Sequence, residues 1–288
     1  MLCTIGDLIE DVVVWQGEPT HHASDTPSRI ERTRGGSAAN VAYFAAASGL
    51  PARFIGQVGA DRLGDQLIEA MRAAGADVIA PRGGRTGCVV VLVQHDGERT
   101  MFPDRGCSPN LADLDPSVLD GVTAFHVPMY SLTSGQLADT ASQLIARAHE
   151  RGILVSIDAS SVSVLEDFGV TESLALIGRL KPSVLLCNDD EARALCLDSL
   201  PNGVSTLVVK RGPRPVQVYD QTGTREFEVA PVDHVVDTTG AGDAFAAGFL
   251  ASLATTNDLA AAVAAGHALA VRALSSPGAT LGAMEQHG

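Results

Sequence analysis

The run VVDTTGAGDAFAAGFLASL, Val235 to Leu253, sets one carboxylate where backbone amides converge. Gly240, Ala241 and Gly242 let the chain come close to a ligand and point N–H groups at it. The apolar helix pattern that follows at once would aim its positive end at the same point. Asp243 then stands inside an anion site. Like charges repel, so a carboxylate there is badly placed to bind phosphate. It is well placed to take a proton from a hydroxyl that attacks phosphorus. Alone, the run also reads as a Gly-rich turn capping a core helix. The residues that accompany it decide between the two.

Asp7, Asp158, Asn188 and Lys210 each end or follow a short apolar run. In an open α/β sheet such strand ends share the edge where ligands bind. The runs themselves read as strands at Leu2 to Ile5, 52–58, Ala124 to Val127, Leu154 to Asp158, Val184 to Cys187 and Thr206 to Lys210. Helical patterns fall between them at 38–48, 61–74, 134–151, 172–180 and 189–195, with another at 258–274. The alternation predicts a mostly parallel sheet covered by helices. Residues 215–218 and 225–229 read as a hairpin around Gln221-Thr222-Gly223. Strand candidates at 11–16, 88–93 and 99–102 stand outside this rhythm, the last two joined by an Asp96-Gly97 turn signal. They form either a small sheet suited to closing a cleft or an edge extension of the main one. Residues 21–33 read as polar and turn-rich.

Composition narrows the partners. The 288 residues suit one large domain, predicted as a single unit over 1–288, and 45% apolar content can build its core. Aromatics are only 4%, so Ala, Val and Leu must do the packing. A formal charge of −14 argues against nucleic acid and against anionic membrane. The five cysteines form no CxxC pair, which removes thiolate metal sites and a disulfide framework. The first residues carry acid where a signal peptide needs base, and no apolar run reaches membrane-spanning length; a cytoplasmic protein is expected. GxxxxGK[ST] is absent, and the first strand ends in GDLIED rather than a dinucleotide fingerprint.

RGGSAANVAYFAAASG at 34–49, FIGQVGADRLGD at 54–65, LLCNDDEARAL at 185–195, LVVKRG at 207–212 and the C-terminal VVDTTGAGDAFAAGFLASL form an ordered set. In these motifs the chain resembles the ribokinase-like, or PfkB, family of carbohydrate kinases along nearly its entire length. The resemblance implies a three-layer α/β/α core with a small β lid formed by about 11–33 and 86–104. It implies an ATP-dependent kinase that uses Mg²⁺. Asp243 is then the general base in a catalytic turn with Gly240, Ala241 and Gly242, and the N–H groups of Ala241, Gly242 and Asp243 form the anion hole. Asp7, Gly35, Gly36 and Asn40 match the positions that hold the sugar. Without the resemblance, Asp7 reads as a strand-end turn residue and Asn40 as a helix residue capping a turn. Asn188 and Glu191 match NxxE near the phosphates and Mg²⁺, which waters can bridge to them; they equally form a capping box. Lys210 and Gly212 match the segment beside ATP, with Lys210 either facing phosphate or lying on the surface. His267 matches a position beside adenine. Asp237, Thr239 and the Ser276 to Thr280 tail match segments that hold a monovalent cation, usually K⁺.

The acceptor is expected to be a small sugar or sugar acid of the ribose, ketohexose or 2-keto-3-deoxygluconate type. Arg105 in the cleft would favour the acid by bidentate pairing; it could instead pair with Asp104. Two departures, HVPMYS at 126–131 and DASS at 158–161, lie near the cleft edge. A nucleoside acceptor would want an aromatic platform, for which Phe102, Phe125 and Tyr130 are the candidates. A non-catalytic sugar-binding relative would show a damaged base or anion hole. The apolar lid strands suggest a homodimer joined through the lids, with Val91 on the contact surface.

Overall fold

The computed structural model describes residues 1–96, 98–112, 114–232 and 234–281. In chain order the strands are β1 (Leu2–Ile5), β2 (Ile9–Gln16), β3 (Ser28–Gly35), β4 (Ala52–Ile55), β5 (Asp77–Ile79), β6 (Thr86–Val93) and β7 (Arg99–Gly106). They continue with β8 (Ala124–Pro128), β9 (Leu154–Asp158), β10 (Val184–Asn188), β11 (Thr206–Lys210), β12 (Val216–Asp220) and β13 (Gly223–Phe227). The α-helices are α1 (Ser37–Ala47), α2 (Arg62–Ala73), α3 (Gly135–Glu150), α4 (Val162–Phe168), α5 (Val170–Leu180), α6 (Asp189–Ala194), α7 (Ala241–Thr256) and α8 (Leu259–Leu274).

Nine strands form one sheet in the order β13-β12-β11-β10-β9-β8-β1-β4-β5. From β11 to β5 every pairing is parallel; β12 and β13 close the edge as the predicted antiparallel hairpin. Runs such as LVSID and VLLCN are apolar on both faces because helices cover both faces. One core packs α1, α2, α7 and α8 against the sheet. The other packs α3 to α6 on the opposite side. With few aromatics, close approach replaces bulk. A Cβ on Gly248 of α7 would collide with the Ala265 carbonyl of α8, and one on Gly266 would lie 2.8 Å from the Phe245 carbonyl. Among the described residues no helix is long and apolar enough to cross a membrane.

The remaining strands form a separate sheet, β3-β2-β6-β7. The predicted antiparallel pair is present as β6 and β7, and β2 joins β6 in parallel. Gly97, the expected turn glycine, lies outside the described residues. The reading of 21–33 as turns fails at Ser28–Gly35, which is an edge strand. Its sequence SRIERTRG hides the strand because charge suits an exposed edge and leaves almost no apolar alternation to read. The sheet thus spans Ile9–Gly35 and Thr86–Gly106, slightly beyond the expected bounds. Strand β4 also stops earlier than expected, at Ile55.

Alternation along these strands separates two faces. Arg99 and Arg105 reach core acids from the inner face. The outer face carries Val12, Val14, Val90 and Leu92, flanked by Ile30 at 60% and Phe102 at 56% exposure. Val91 is turned inward at 9%, so it is not a surface position as expected; Val90 is. We propose that a second copy covers the outer face. Val90→Lys should then lower the mass in light scattering from two chains to one at micromolar concentration. A wild-type chain that is monomeric and fully active would rule this contact out.

Candidate active site

Gly240 opens the site with φ +76°, a left-handed conformation that favours glycine. Space demands glycine too: a Cβ would come 2.9 Å from the Ala279 methyl and 3.1 Å from the Phe44 ring. The turn launches α7, with Asp243 in its first turn. Asp243 Oδ1 accepts from Ser37 Oγ at 2.7 Å, and Oδ2 accepts from Asn40 Nδ2 at 2.9 Å. Burial pushes the carboxyl up to about 6, against the pull of those two donors; Asp158 adds to the rise and Lys210 opposes it. Asn40 keeps its own Oδ1 buried and without a partner among the described residues. A hydroxyl is the natural donor for that oxygen. Ser37, unmarked in the sequence reading except as part of GGSAAN, shares the task of orienting Asp243.

The anion hole is narrower than expected. The Ala241 N–H donates to the Thr238 carbonyl at 3.3 Å, because the left-handed Gly240 folds the chain back on itself. The N–H groups of Gly242 and Asp243 have no partner among the described residues.

Lys210 stands beside this turn: a Cβ on Gly242 would lie 3.4 Å from its Nζ. It is no surface lysine. Its Nζ donates to Asp158 Oδ2 at 2.7 Å, with side-chain exposures of 16% and 11%. Burial works against the Lys210 charge, but Asp158 and Glu191 outweigh it and hold the pKa above the usual lysine range. Glu191 is pushed up to about 7 by burial and by Asp158, opposed by Lys210. The capping box is complete: Asn188 Oδ1 accepts from the N–H groups of Asp190 and Glu191. Glu191 in turn accepts from the Asn188 N–H and Nδ2. Asn188 Oδ1 is thus engaged inside the capping box. Gly212, with φ +60°, forms the turn after Lys210.

On the opposite side, Arg105 holds Asp7 with two hydrogen bonds of 2.8 Å and reaches Ser134 Oγ at 3.1 Å. Asp104 pairs with Arg85 instead. Asp7 is thus bound by a guanidinium rather than facing the cleft alone. Gly36, φ +97°, has no room for a Cβ, which would strike the Asp7 carbonyl; one on Gly35 would strike the Asp11 carboxylate.

Asp11 escaped the sequence reading. It makes no hydrogen bond among the described residues, and burial pushes its carboxyl up to about 6, against Arg34 and with Asp243 nearby. The signal was its place in IEDVVVW, an acid on a strand where its neighbours are apolar. Arg34 escaped as well. Its guanidinium lies 3.8 Å from the Tyr43 ring centre and donates through Nη2 to the Ala279 carbonyl at 2.7 Å.

The Asp237 carboxylate accepts from the Thr239 N–H and Oγ1 and from the Gly278 N–H, which ties the tail segment to the turn. His267 lies with Nε2 3.0 Å from the Ala230 carbonyl, a structural use of the ring. Of the aromatic platforms, Phe125 is fully buried in the core and Phe102 lies on the outer lid face. Tyr130 alone stays near the site, its hydroxyl pKa raised by burial and, more weakly, by Glu191, Asp243 and Asp158.

The chain matches the pfkB family carbohydrate kinase profile over residues 1–286. It is 35% identical over 233 residues to the ATP-dependent ribose-1-phosphate kinase of Halopiger xanaduensis, covering 78% of this chain and 75% of that protein. To the probable fructokinase-7 of Arabidopsis thaliana it is 28% identical over 284 residues, covering 88% and 79%. A putative ribokinase II from E. coli, solved in complex with ATP and Mg²⁺, superposes with a TM-score of 0.82 at 22% identity, covering 96% and 94% of the two chains.

Donors to Asp243 stabilise its ionised form, so their loss must raise its pKa further. Carbon-13 NMR of labelled aspartate should show two carboxyls titrating near 6, those of Asp11 and Asp243, the second absent in Asp243→Asn. In Asn40→Ala that midpoint should move upward. An unchanged midpoint would mean that Asn40 does not hold the carboxylate in solution.

Proposed function

The chain belongs to the pfkB family of carbohydrate kinases, and we propose that it transfers the γ-phosphoryl group of ATP to the primary hydroxymethyl of a small anionic sugar, with Asp243 as general base. The observation that carries this reading is the buried Asp243 carboxylate, held by Ser37 and Asn40 beside two amides with no partner among the described residues. The hydroxymethyl oxygen, donating to Asp243, attacks phosphorus. Its proton passes to Asp243 as the bond to the β-phosphate oxygen breaks. The Gly242 and Asp243 N–H groups and the α7 N-terminus meet the charge on the transferring group. Lys210, beside Gly242, faces the same phosphates. Both functional halves are intact, which argues for catalysis over sugar binding alone.

Asp158 and Glu191 suit a Mg²⁺ ion reached through water, which would neutralise phosphate charge. Among the described residues no cluster of three ligand side chains could hold a metal by itself, so the ATP phosphates would complete the shell.

Arg105, brought from the inner lid face onto Asp7, supports an anionic acceptor, and the most identical relative named above acts on a phosphorylated sugar. A sugar acid or a sugar 1-phosphate meets this chemistry. The loss of Phe125 and Phe102 as stacking platforms weighs against a nucleoside.

Asp243→Asn should lower kcat by about 10²- to 10⁴-fold with little change in ATP affinity. The base works only when ionised, so wild-type kcat/KM should fall as pH drops through about 6 and level off above it. Wild-type turnover in the variant would remove Asp243 from the mechanism.

A panel of pentoses, ketohexoses, sugar acids, sugar 1-phosphates and nucleosides, read by ADP release, tests the acceptor. Arg105→Ala should cost an anionic sugar roughly 2–5 kcal/mol and a neutral one much less. Equal losses would reject Arg105 as the specificity cation.

A further inference from the structure

The family resemblance places a monovalent cation among Asp237, Thr239 and the Ser276–Thr280 segment. Such an ion needs a shell of oxygens to replace its water. Several oxygens in and beside this segment are already engaged. The Ala273 carbonyl accepts from the Ser276 N–H at 3.1 Å, and the Leu274 carbonyl accepts from the Val236 N–H at 2.8 Å. Those of Pro277 and Gly278 accept from Thr280, through Oγ1 and N–H, each at 2.9 Å. Both Asp237 carboxylate oxygens are hydrogen-bonded, and Arg99 lies 3.7 Å from one of them. With these oxygens taken and the Arg99 guanidinium beside Asp237, the segment is a poor fit for bound K⁺.

A positive charge is nevertheless there. Arg34 Nη2 donates to the Ala279 carbonyl at 2.7 Å, and its Nε is buried with no partner among the described residues. The Tyr43 ring backs the guanidinium at 3.8 Å. Ala279 packs directly under Gly240, so this cation sits one residue contact below the anion-binding turn. A metal ion at the Ala279 carbonyl would meet a like charge at short range. Burial lowers the Arg34 pKa to about 10, opposed by Tyr43, Asp243 and Asp11, which leaves it charged at neutral pH.

We infer that the Arg34 guanidinium is the built-in cation of this chain, fixing the Ser276–Thr280 segment beneath the Gly240–Asp243 turn, so that the protein needs no monovalent metal ion. This rests on the kinase reading only for its activity arm. The wild-type chain would be melted, and its turnover measured, in potassium chloride and in tetramethylammonium chloride at equal ionic strength. Melting temperature should agree within about 1 °C and turnover within about twofold. Arg34→Met should lose turnover by about tenfold or more in tetramethylammonium, and Arg34→Lys should recover part of it. A saturable rise of the wild-type melting temperature with K⁺, or a tenfold fall in turnover without it, would overturn the inference. So would full turnover of folded Arg34→Met in the absence of K⁺. If no acceptor is turned over in any salt, the kinase reading fails, while the melting comparison still tests the site.

Discussion

A carboxylate buried at a helix N-terminus is costly unless donors and a positive field meet it. Asp243 imposes that condition on the whole molecule. Its two donors, Ser37 and Asn40, both come from α1, more than 200 residues earlier in the chain. The contact therefore requires α1 and α7 to lie side by side on one face of the sheet. That in turn requires Gly36 beneath Asp7, so that α1 can begin at the end of β1. It requires Gly240 where the Phe44 ring and Ala279 leave no room for a side chain. Gly248 and Gly266 then let α8 press close behind α7. Small residues recur in these helices because the acid at their end must be approached closely from several directions.

Charge around the cleft is divided into neighbourhoods. Lys210 answers Asp158, and Arg105 answers Asp7 with paired hydrogen bonds. Asp11 and Glu191 form no ion pair among the described residues, and burial raises both carboxyls. The protein as a whole carries −14, and around the cleft each of these two cations is matched by an acid. Overall charge therefore says little of the site, where the local balance bears on ligand choice.

Much of this was legible in the residues. Continuous apolar runs gave the parallel strands, since both faces of the main sheet are covered. Asn188-Asp189-Asp190-Glu191 gave a capping box because it is local, with all partners within three residues. What escaped depends on distant neighbours. β3 is charged because it is an edge, so its strand character comes from β2 and not from its own pattern. Arg34 is defined by Tyr43, Ala279 and Asp11, none of which a linear reading places beside it. Ala241 looked like an anion-hole donor until the turn geometry directed its N–H to Thr238. Asp7 looked like a lone sugar ligand until the lid strand brought Arg105 onto it.

The separation between Ser37 and Asp243 also orders events during synthesis. Translation runs from the N-terminus, so β1, the four-stranded sheet and α1 leave the ribosome long before the GAGD turn. An incomplete chain lacking α7 has neither the buried Asp243 carboxylate nor the amides beside it. It can collapse around the early strands without becoming chemically competent. The last third of the polypeptide brings Lys210 first and Asp243 after it. With Asp243 as the proposed base, chemical competence arrives with the last segments to be made, and truncated products would be inert toward phosphoryl transfer.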